Sequence, residues 1–350
     1  MKKKKNYIRI SVDAMSGDYG FKISVKASII AIKKYPALHI KLVGDEFVIQ
    51  KFINSSKFSY DKDRLSIVHS DEIVLMNDSP ILALRKKKSS MRIALELVKQ
   101  NIVDACVSSG NTGALLALSK YILNTLDQID KPAIISSIPI YNNKFQVESK
   151  LLMLDLGANT SCSAKNLFQF ALMASTLAES INKIKRPKIG LLNIGTEENK
   201  GLHLIRDAAE KIKNCKKLNY VGFLEGNEIF SKKADILVCD GFSGNIALKV
   251  MEGTSTFIYR LMKDSWSNNL LFKIFSIFVI PTLIKIKKMV KVDAYNGAFF
   301  LGIRGIIIKG HGSSKEEAFI SAINQAIQAV ENDLINKIRI GLAKSTKDNA

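Results

Sequence analysis

The sequence predicts a doubly wound α/β protein with a mostly parallel sheet, and two observations carry this prediction. A short apolar run, a turn rich in Gly, Asn or Asp, and a helix-like segment follow one another repeatedly along the chain, which is the pattern of βα units. The length of 350 residues also suits one large α/β core or two interlocked ones. We expect a single large domain over 1–337 and a short polar tail that frays over 338–350.

Seven units follow in order, each with a strand-like run, a turn and a helix-like run. The helix-like runs cover 21–34, 46–53, 114–123, 164–178, 202–213, 246–263 and 315–331. In open α/β sheets, ligands bind beyond the carboxyl ends of the strands, where these turns are placed. The seven turns are therefore expected to collect around one shared site.

The turn in "VSSGNTGALLALS", residues 107–119, is the first candidate for binding an anion. The run before it is typical of a buried strand, and the run after it is typical of a helix. The first amides of a helix are unpaired and lie at the positive end of its dipole. Gly110, Asn111, Thr112 and Gly113 are therefore candidate ligands for phosphate or carboxylate, although tight turns and helix caps use the same residue types.

Five other turns carry more polar side chains than a helix cap requires. Taken singly, an Asp or Asn in such a turn is most often a cap or a turn former. Together these side chains would line one pocket with amides, carboxylates and a few cations. The candidates are Asp13, Asp155, Asn159, Asn193, Glu198, Lys200, Asp240, Asn245, Lys309, His311 and Ser313.

Several kinds of chemistry have no support in the sequence. It has no defensible Ser-His-Asp order, no G-x-S-x-G elbow, no Walker loop and no G-x-G-x-x-G fingerprint. The four histidines are scattered singly without a second ligand at metal spacing, so no metal site is expected. Anion-binding turns without a nucleotide signature fit direct attack by a bound inorganic anion.

The net charge of the chain indicates its binding partners, and its cysteines indicate its cellular compartment. The chain has 52 Lys and Arg against 32 Asp and Glu, a net charge of +20. This excess favours an acidic partner, such as nucleic acid, anionic lipid, a phosphorylated metabolite or an acidic protein, although compositional bias explains it as well. Four widely spaced cysteines are typical of reduced thiols. The basic first residues are not followed by the apolar run of a signal peptide, so we expect a cytoplasmic protein.

One apolar segment, residues 268–291, breaks the repeating pattern. It contains Pro281 and closes in a cluster of lysines, and its apolar part from 270 to 284 includes Lys273. That part is shorter than the roughly 20 residues of a spanning helix. Three interpretations of the segment remain open: a buried helix, an oligomer contact, or a hairpin at a membrane interface. The pattern alone favours the core or an oligomer contact.

Eight blocks of the sequence resemble, in order and spacing, those of bacterial phosphate acyltransferase, the PlsX family. The likeness extends from about residue 8 to residue 332. Departures from the family pattern lie at Leu202, Asn296, Phe299 and Phe300. The blocks are "VDAMSGDYG", "SSMRIALELV", "SSGNTGALLA", "LDLGANTSC", "LLNIGTEENKG", "FLEGNEI", "VCDGFSGNIALK" and "YNGAFFLGIRGIIIKGHGSS".

The resemblance implies a three-layer α/β/α fold like that of phosphotransacetylases and isocitrate dehydrogenases. It implies that acyl-acyl-carrier-protein and orthophosphate become acyl phosphate and free acyl carrier protein, an acidic protein, in phospholipid biosynthesis. No cofactor, metal or nucleic acid is implied. The enzyme would be a homodimer, and its product would pass to a glycerol-3-phosphate acyltransferase that uses acyl phosphate.

The resemblance also reverses the interpretation of residues 268–291. It implies that they form a projecting amphipathic hairpin that docks on the anionic inner face of the cell membrane, so that the enzyme is cytoplasmic and peripherally associated. The candidate membrane-binding residues are Phe272, Phe275, Phe278, Lys285, Lys287 and Lys288.

Residue chemistry suggests roles for the polar turns. The amides of residues 110–113 are assigned to phosphate, with Lys200 or Lys309 as the counter-charge. The candidate donors to the oxyanion are Asn111, Asn245 and His311, and the candidate proton acceptors are Asp240 and Glu198. Two other functions stay open: a phosphotransacetylase-type enzyme that uses acyl-coenzyme A, and a non-catalytic basic protein on membrane or nucleic acid.

Overall fold

The computed structural model describes residues 7–56, 58–142, 146–267, 297–312 and 315–348. The strands are β1 (Ile8–Asp13), β2 (Leu38–Gly44), β3 (Leu65–His69), β4 (Ala105–Ser108), β5 (Ala133–Tyr141), β6 (Val147–Leu154), β7 (Lys188–Leu192), β8 (Asn219–Leu224), β9 (Ile236–Val238), β10 (Ala298–Leu301) and β11 (Ile306–Lys309). The helices are α1 (Phe21–Lys34), α2 (Glu46–Ser55), α3 (Pro80–Arg85), α4 (Ser90–Lys99), α5 (Thr112–Leu123), α6 (Ala164–Leu177), α7 (His203–Asn214), α8 (Gly241–Ser267), α9 (Glu316–Glu331) and α10 (Leu334–Asp348).

The described strands form one sheet in the order β3-β2-β1-β4-β11-β10-β5-β6-β9-β7-β8. The five strands from β3 to β11 are parallel to one another. Strand β10 is antiparallel to both β11 and β5, and β5 is antiparallel to β6. Strands β6, β9, β7 and β8 are again parallel. Three reversals in the middle therefore leave two parallel halves that run in opposite directions.

The carboxyl ends of the strands consequently lie at two opposite edges. At the first edge, Asp13 pairs in register with Ser108, and Ser108 pairs with Lys309. At the second edge, Leu154 pairs with Val238, and Val238 pairs with Leu191. The expectation that all seven turns collect at one site is therefore wrong within one chain, because a periodic sequence does not reveal where a strand reverses.

Helices cover both faces of the sheet, which confirms the predicted three-layer α/β/α fold. Side chains alternate between the faces along each strand: in β11, Ile306 and Ile308 join one buried cluster and Ile307 joins the other. Helices α1, α6, α7, α9 and α10 pack in the first cluster, and α4 and α5 pack in the second. The α8 residues Ala247 and Leu248 pack against the second cluster.

The predicted polar tail is wrong over residues 338–348, which belong to α10. Ile338 and Leu342 are buried in the core, and α10 packs on α6. Leu334, Ile338 and Leu342 recur at every fourth position and so share one helix face. The polar residues on the other face masked this short apolar stripe.

The predicted hairpin over 268–291 lies outside the described residues, so it stays a prediction with its six candidate residues. Ser313 also lies outside them. Across the described ranges, no helix is both long enough and apolar enough to span a membrane.

Candidate active site

Three loops meet at the first edge, after β1, β4 and β11. The Asp18 amide donates to the Gly312 carbonyl at 2.9 Å, and the Gly310 amide donates to the Ser108 carbonyl at 2.9 Å. A Cβ atom placed on Gly310 would collide with Ser109 Oγ. The loops are thus packed so closely that the turn 110–113, Lys309 and His311 form one cluster.

The amides at the start of α5 leave room for an anion. Those of Asn111, Thr112 and Gly113 find no acceptor in the part of the chain that the structure describes, and Thr112 and Gly113 are exposed. The Gly110 amide, in contrast, donates to Ser108 Oγ at 3.1 Å. Three of the four predicted amides are therefore available to a ligand.

The Asn111 side chain has a structural role. Its Oδ1 accepts from the Ala114 amide at 2.9 Å, as an N-cap. Its Nδ2 donates to the Met76 carbonyl at 2.7 Å and to the Asp78 carbonyl at 3.0 Å. Both N–H donors are used within the protein, which disfavours the predicted bond from Asn111 to an oxyanion.

Lys309 is a buried cation that borders the turn of residues 110–113, the candidate anion-binding turn. It is 8% exposed, its Nζ donates to the Gly310 carbonyl, and that atom lies 3.5 Å from the Ser109 carbonyl oxygen. Burial lowers the pKa of Lys309 from 10.5 to about 8, although the charges of Asp18 and Asp13 oppose this shift. Carbonyl groups do not neutralise a buried ammonium, so an anion beside it would be stabilising.

His311 lies beside Lys309 and faces two charged residues of α8. Burial, together with the Lys309 and Lys249 charges, lowers the pKa of His311, and Glu252 opposes the shift. A neutral imidazole can donate from one ring nitrogen. Lys249 Nζ lies 2.7 Å from Glu252 Oε2. Sequence analysis missed this pair, although the i, i+4, i+7 spacing of Asn245, Lys249 and Glu252 places all three on one helix face.

Asp13 supports the cluster from within the sheet. Its carboxylate is buried and accepts from Ser90 Oγ and from Ser108 Oγ, each at 2.7 Å. Burial raises the pKa of Asp13, and the serine hydrogen bonds lower it. Asp13 thus links the end of β1 to α4 and to the end of β4, just before the turn of residues 110–113, and the structure gives it a positioning role.

A buried hydroxyl at the same place lacks a hydrogen bond. Ser109 Oγ has no partner among the described residues, and Ser109 is buried. Its amide donates to Ser16 Oγ at 3.1 Å, which fixes the backbone. An unsatisfied buried hydroxyl is costly, and a bound anion beside Lys309 would give it an acceptor. Sequence analysis missed Ser109, which lies in the block "SSGNTGALLA".

At the second edge, Asp155 and Asn159 organise a loop. Asp155 Oδ1 accepts from the amides of Ile134 and Ala158 at 2.9 and 3.0 Å. Its Oδ2 accepts from the amide and Nδ2 of Asn159 at 2.8 and 2.9 Å. Asn159 Nδ2 also donates to the Pro132 carbonyl at 2.7 Å. Four donors occupy the carboxylate, so it has little capacity left for a substrate.

Asp240 and Asn245 lie where α8 begins, at the same edge. Asp240 accepts from the Ser243 amide at 2.8 Å and from Ser243 Oγ at 2.9 Å, as an N-cap does. Asn245 is exposed, and a Cβ atom placed on Gly157 would lie 3.3 Å from its Cγ. Asp240 therefore anchors α8, and Asn245 remains accessible to a ligand.

The loop after β7 holds the remaining candidates. Asn193 Nδ2 donates to the carbonyls of Gly195 and Lys200, each at 3.2 Å, and so folds the turn. The Glu198 side chain is 94% exposed and lies 3.6 Å from Lys213 Nζ. Lys200 is also exposed. This loop follows a second-edge strand, so the structure does not bring Lys200 or Glu198 to the anion-binding turn of the same chain.

Helix α8 connects the two edges. It starts beside Asp155 at the second edge, and its charges reach His311 at the first. The rise of roughly 1.5 Å per residue separates Asp240 from Glu252 by about 18 Å. Within the described ranges, no group of three or more His, Cys, Asp and Glu side chains is arranged to hold a metal ion.

Comparisons with known proteins agree with this architecture. The sequence model of a family described as fatty acid synthesis protein matches residues 8–337. A phosphate acyltransferase of Francisella tularensis subsp. tularensis is 45% identical over 343 residues, which cover 96% of this chain and 99% of that protein. The phosphate acyltransferase of Francisella philomiragia is equally similar, at 45% identity over 343 residues.

Two solved structures are similar in fold. A phosphotransacetylase from Streptococcus pyogenes matches with a TM-score of 0.62 at 16% identity, over 93% of this chain and 94% of that one. A phosphotransacetylase from Staphylococcus aureus matches with a TM-score of 0.58 at 13% identity, over the same shares of 93% and 94%. The fold follows from these structures, and the family follows from the sequence matches: the chain belongs to the bacterial phosphate acyltransferase family, PlsX.

Proposed function

We propose that the protein transfers the acyl group of acyl-acyl-carrier-protein to orthophosphate, and so makes acyl phosphate for phospholipid synthesis. Membership of the phosphate acyltransferase family makes it an acyltransferase. The observation that supports orthophosphate as the acceptor is the cluster at the first edge, where three unpaired helix amides adjoin the buried Lys309. Helix amides and a desolvated cation together favour a compact anion.

In this proposal, the amides of Asn111, Thr112 and Gly113 hold phosphate, and Lys309 neutralises its charge. Ser109 Oγ donates a hydrogen bond to a phosphate oxygen. Another phosphate oxygen attacks the thioester carbonyl carbon, and a P–O–C bond forms. The carbon–sulfur bond of the tetrahedral intermediate then breaks. A thiolate with a pKa of about 8.5 is a good leaving group, and it takes a proton from solvent to give the free carrier thiol.

The oxyanion of the tetrahedral intermediate needs a donor, and the first edge offers two. Neutral His311 can donate a hydrogen bond from one ring nitrogen, and Lys249 adds a positive charge nearby. Because the dianion of orthophosphate is itself nucleophilic near neutral pH, a strong general base is not required. Asp240 and Glu198 therefore become secondary candidates for the proton acceptor.

We also propose that the enzyme acts as a homodimer at the inner face of the cell membrane. A second chain offers a route by which the exposed Lys200 and Asn245 could reach a first-edge cluster, since topology keeps them away from the cluster of their own chain. Residues 268–291 would rest in the headgroup layer, where lysines attract anionic lipid. From there the product would pass to the acyl-phosphate-dependent glycerol-3-phosphate acyltransferase.

The test is to incubate the purified protein with palmitoyl-carrier protein and phosphate, and to trap acyl phosphate with hydroxylamine. A phosphate-free reaction is the control. A parallel reaction with palmitoyl-coenzyme A tests the second candidate function, which the structural similarity to two phosphotransacetylases favours. A higher kcat/KM with palmitoyl-coenzyme A would select that function, and absence of product with either donor would refute both.

A further inference from the structure

We propose that residues 71–88, at the first edge, form the docking surface for the acidic carrier protein that delivers the acyl thioester. This inference rests on the proposed function, because it names where the donor of that reaction binds. Single exposed apolar residues are normal, whereas a concentration of them indicates an interaction site. Five large apolar side chains within ten consecutive positions are exposed here: Ile73 (38%), Leu75 (53%), Met76 (45%), Ile81 (66%) and Leu82 (42%).

The docking surface is held in one conformation by internal polar contacts. Lys86 Nζ donates to the Asp78 carboxylate at 2.6 Å and to the Ile73 carbonyl at 2.8 Å. The Ser90 amide donates to the Glu72 carbonyl at 3.0 Å, which ties the start of the surface to α4. These contacts cross the segment. The apolar side chains are therefore exposed on a preorganised surface, which lowers the entropy cost of binding.

The docking surface also carries two cations that no carboxylate of the described ranges neutralises. Residues 71–88 contain four basic residues, Arg85, Lys86, Lys87 and Lys88, and three acidic ones, Asp71, Glu72 and Asp78. Lys86 and Lys88 form ion pairs with Asp78 and Asp71 of the same surface. Arg85 and Lys87 are exposed, and neither has a carboxylate within ion-pairing distance in the part of the chain described. Two unpaired cations beside an apolar patch complement an acidic protein.

The docking surface touches the anion-binding turn. Asn111 Nδ2 donates hydrogen bonds to the carbonyls of Met76 and Asp78, at 2.7 and 3.0 Å. A Cβ atom placed on Gly113 would lie 3.5 Å from Pro80 Cγ. A carrier bound to this surface would therefore present its thioester beside the phosphate, without any movement of the turn.

Charge argues against a second copy of the chain as the occupant. In a two-fold interface the same patch lies on both sides, so a second copy would bring its own unpaired Arg85 and Lys87 to the interface. An acidic protein neutralises them instead. An anionic lipid surface would also do so, and the experiment separates that outcome.

The test compares two double variants with the same change of charge. Arg85→Glu with Lys87→Glu reverses the unpaired cations of the docking surface. Lys33→Glu with Lys62→Glu is the control, because both lysines are exposed and lie at the amino ends of strands in that half of the sheet. The KM for palmitoyl-carrier protein should rise about tenfold or more in the first variant and lose much of its dependence on salt. The KM for phosphate and kcat should be unchanged in both.

A second pair of changes keeps the charge and removes apolar area. Ile81→Ser with Leu82→Ser should also raise the KM for the carrier, with thermal unfolding measured for every variant to verify the fold. If the wild type is active and both surface variants have the same KM for the carrier as the wild type, the docking surface is overturned, while the proposed function stands. Surface variants that lose binding to phosphatidylglycerol vesicles but keep the KM for the carrier would also overturn it, because the surface would then bind lipid. A wild type that makes no acyl phosphate would overturn the proposed function itself.

Discussion

Replacement of Lys309 by Met should weaken phosphate binding and remove its dependence on pH. In the wild type, burial lowers the pKa of this lysine to about 8. The ammonium is therefore about 90% protonated at about pH 7 and about 10% protonated at about pH 9. A hydrogen bond to a charged group contributes about 1.5–3 kcal/mol, which corresponds to about 10–150-fold in the KM for phosphate. Lys309→Met should raise that KM by such a factor at about pH 7.

The assay measures the KM for phosphate at several pH values in the wild type and the variant. Phosphate itself ionises in this range, so the informative quantity is the ratio of the two KM values, from which that effect cancels. The ratio should fall about tenfold between about pH 7 and about pH 9, as the wild type loses its charge. Lys22→Met is the control variant. It removes an exposed lysine of α1, the helix that follows β1 at the same edge of the sheet, and should leave the KM for phosphate unchanged. A ratio that does not vary with pH would refute the assignment of Lys309 to phosphate.

The same substitution has an opposite effect on stability. The folded pKa of Lys309 lies below its unfolded value of 10.5, at about 8. The unfolded chain therefore binds more protons between these pH values, and the contribution of Lys309 to stability rises with pH through that window. Below it, protonation of the buried amine costs about 3 kcal/mol. Without phosphate, Lys309→Met should thus unfold at a higher temperature than the wild type at about pH 7.

Four further variants test the cluster, α8 and the membrane segment. Ser108→Ala removes one hydrogen bond from the buried carboxylate at the end of β1 and should lower the free energy of unfolding by about 1–3 kcal/mol; an unchanged denaturant midpoint would contradict that role. Gly244→Ala should destabilise the protein, because the new Cβ atom would collide with a backbone carbonyl of the loop after β6. Gly253→Ala has open space around the new Cβ atom and should stabilise the helix by about 0.5–1 kcal/mol. Equal melting temperatures of the two would refute the close packing. Phe275→Glu with Phe278→Glu should abolish liposome binding and spare acyl-phosphate synthesis; unfolding or loss of the dimer would instead place the segment in the core or an interface.

The sequence was sufficient for the layers of the fold, but not for the opposite directions of the two halves of the sheet. Apolar runs such as Ala298–Leu301 and Ile306–Lys309 look alike in sequence, yet one runs antiparallel to its neighbours. Short buried strands carry no periodic mark of their direction. The direction of such a strand is defined only by its hydrogen-bonded pairing with strands that are distant in sequence.

The interior of the site was equally hidden. Asp13 was predicted as a ligand, whereas its two partners, Ser90 and Ser108, lie 77 and 95 residues away in sequence. A serine at the start of a helix or the end of a strand is a common cap or turn residue. Its role as a brace for a buried carboxylate therefore appears only in three dimensions. Lys309 was a candidate residue from the sequence, but its burial could not be inferred from the sequence alone.

The packing of the block "VCDGFSGNIALK" shows that it positions a helix. Its two glycines lie against the loop after β6: a Cβ atom on Gly241 would lie 2.7 Å from Asp155 Oδ2, and one on Gly244 would overlap the Asp155 carbonyl oxygen. The block therefore fixes the position and direction of α8, with Asp240 as its N-cap. This direction carries Lys249 to the side of His311. We infer that these glycines serve the site indirectly, through the course of a helix that links two edges of the sheet.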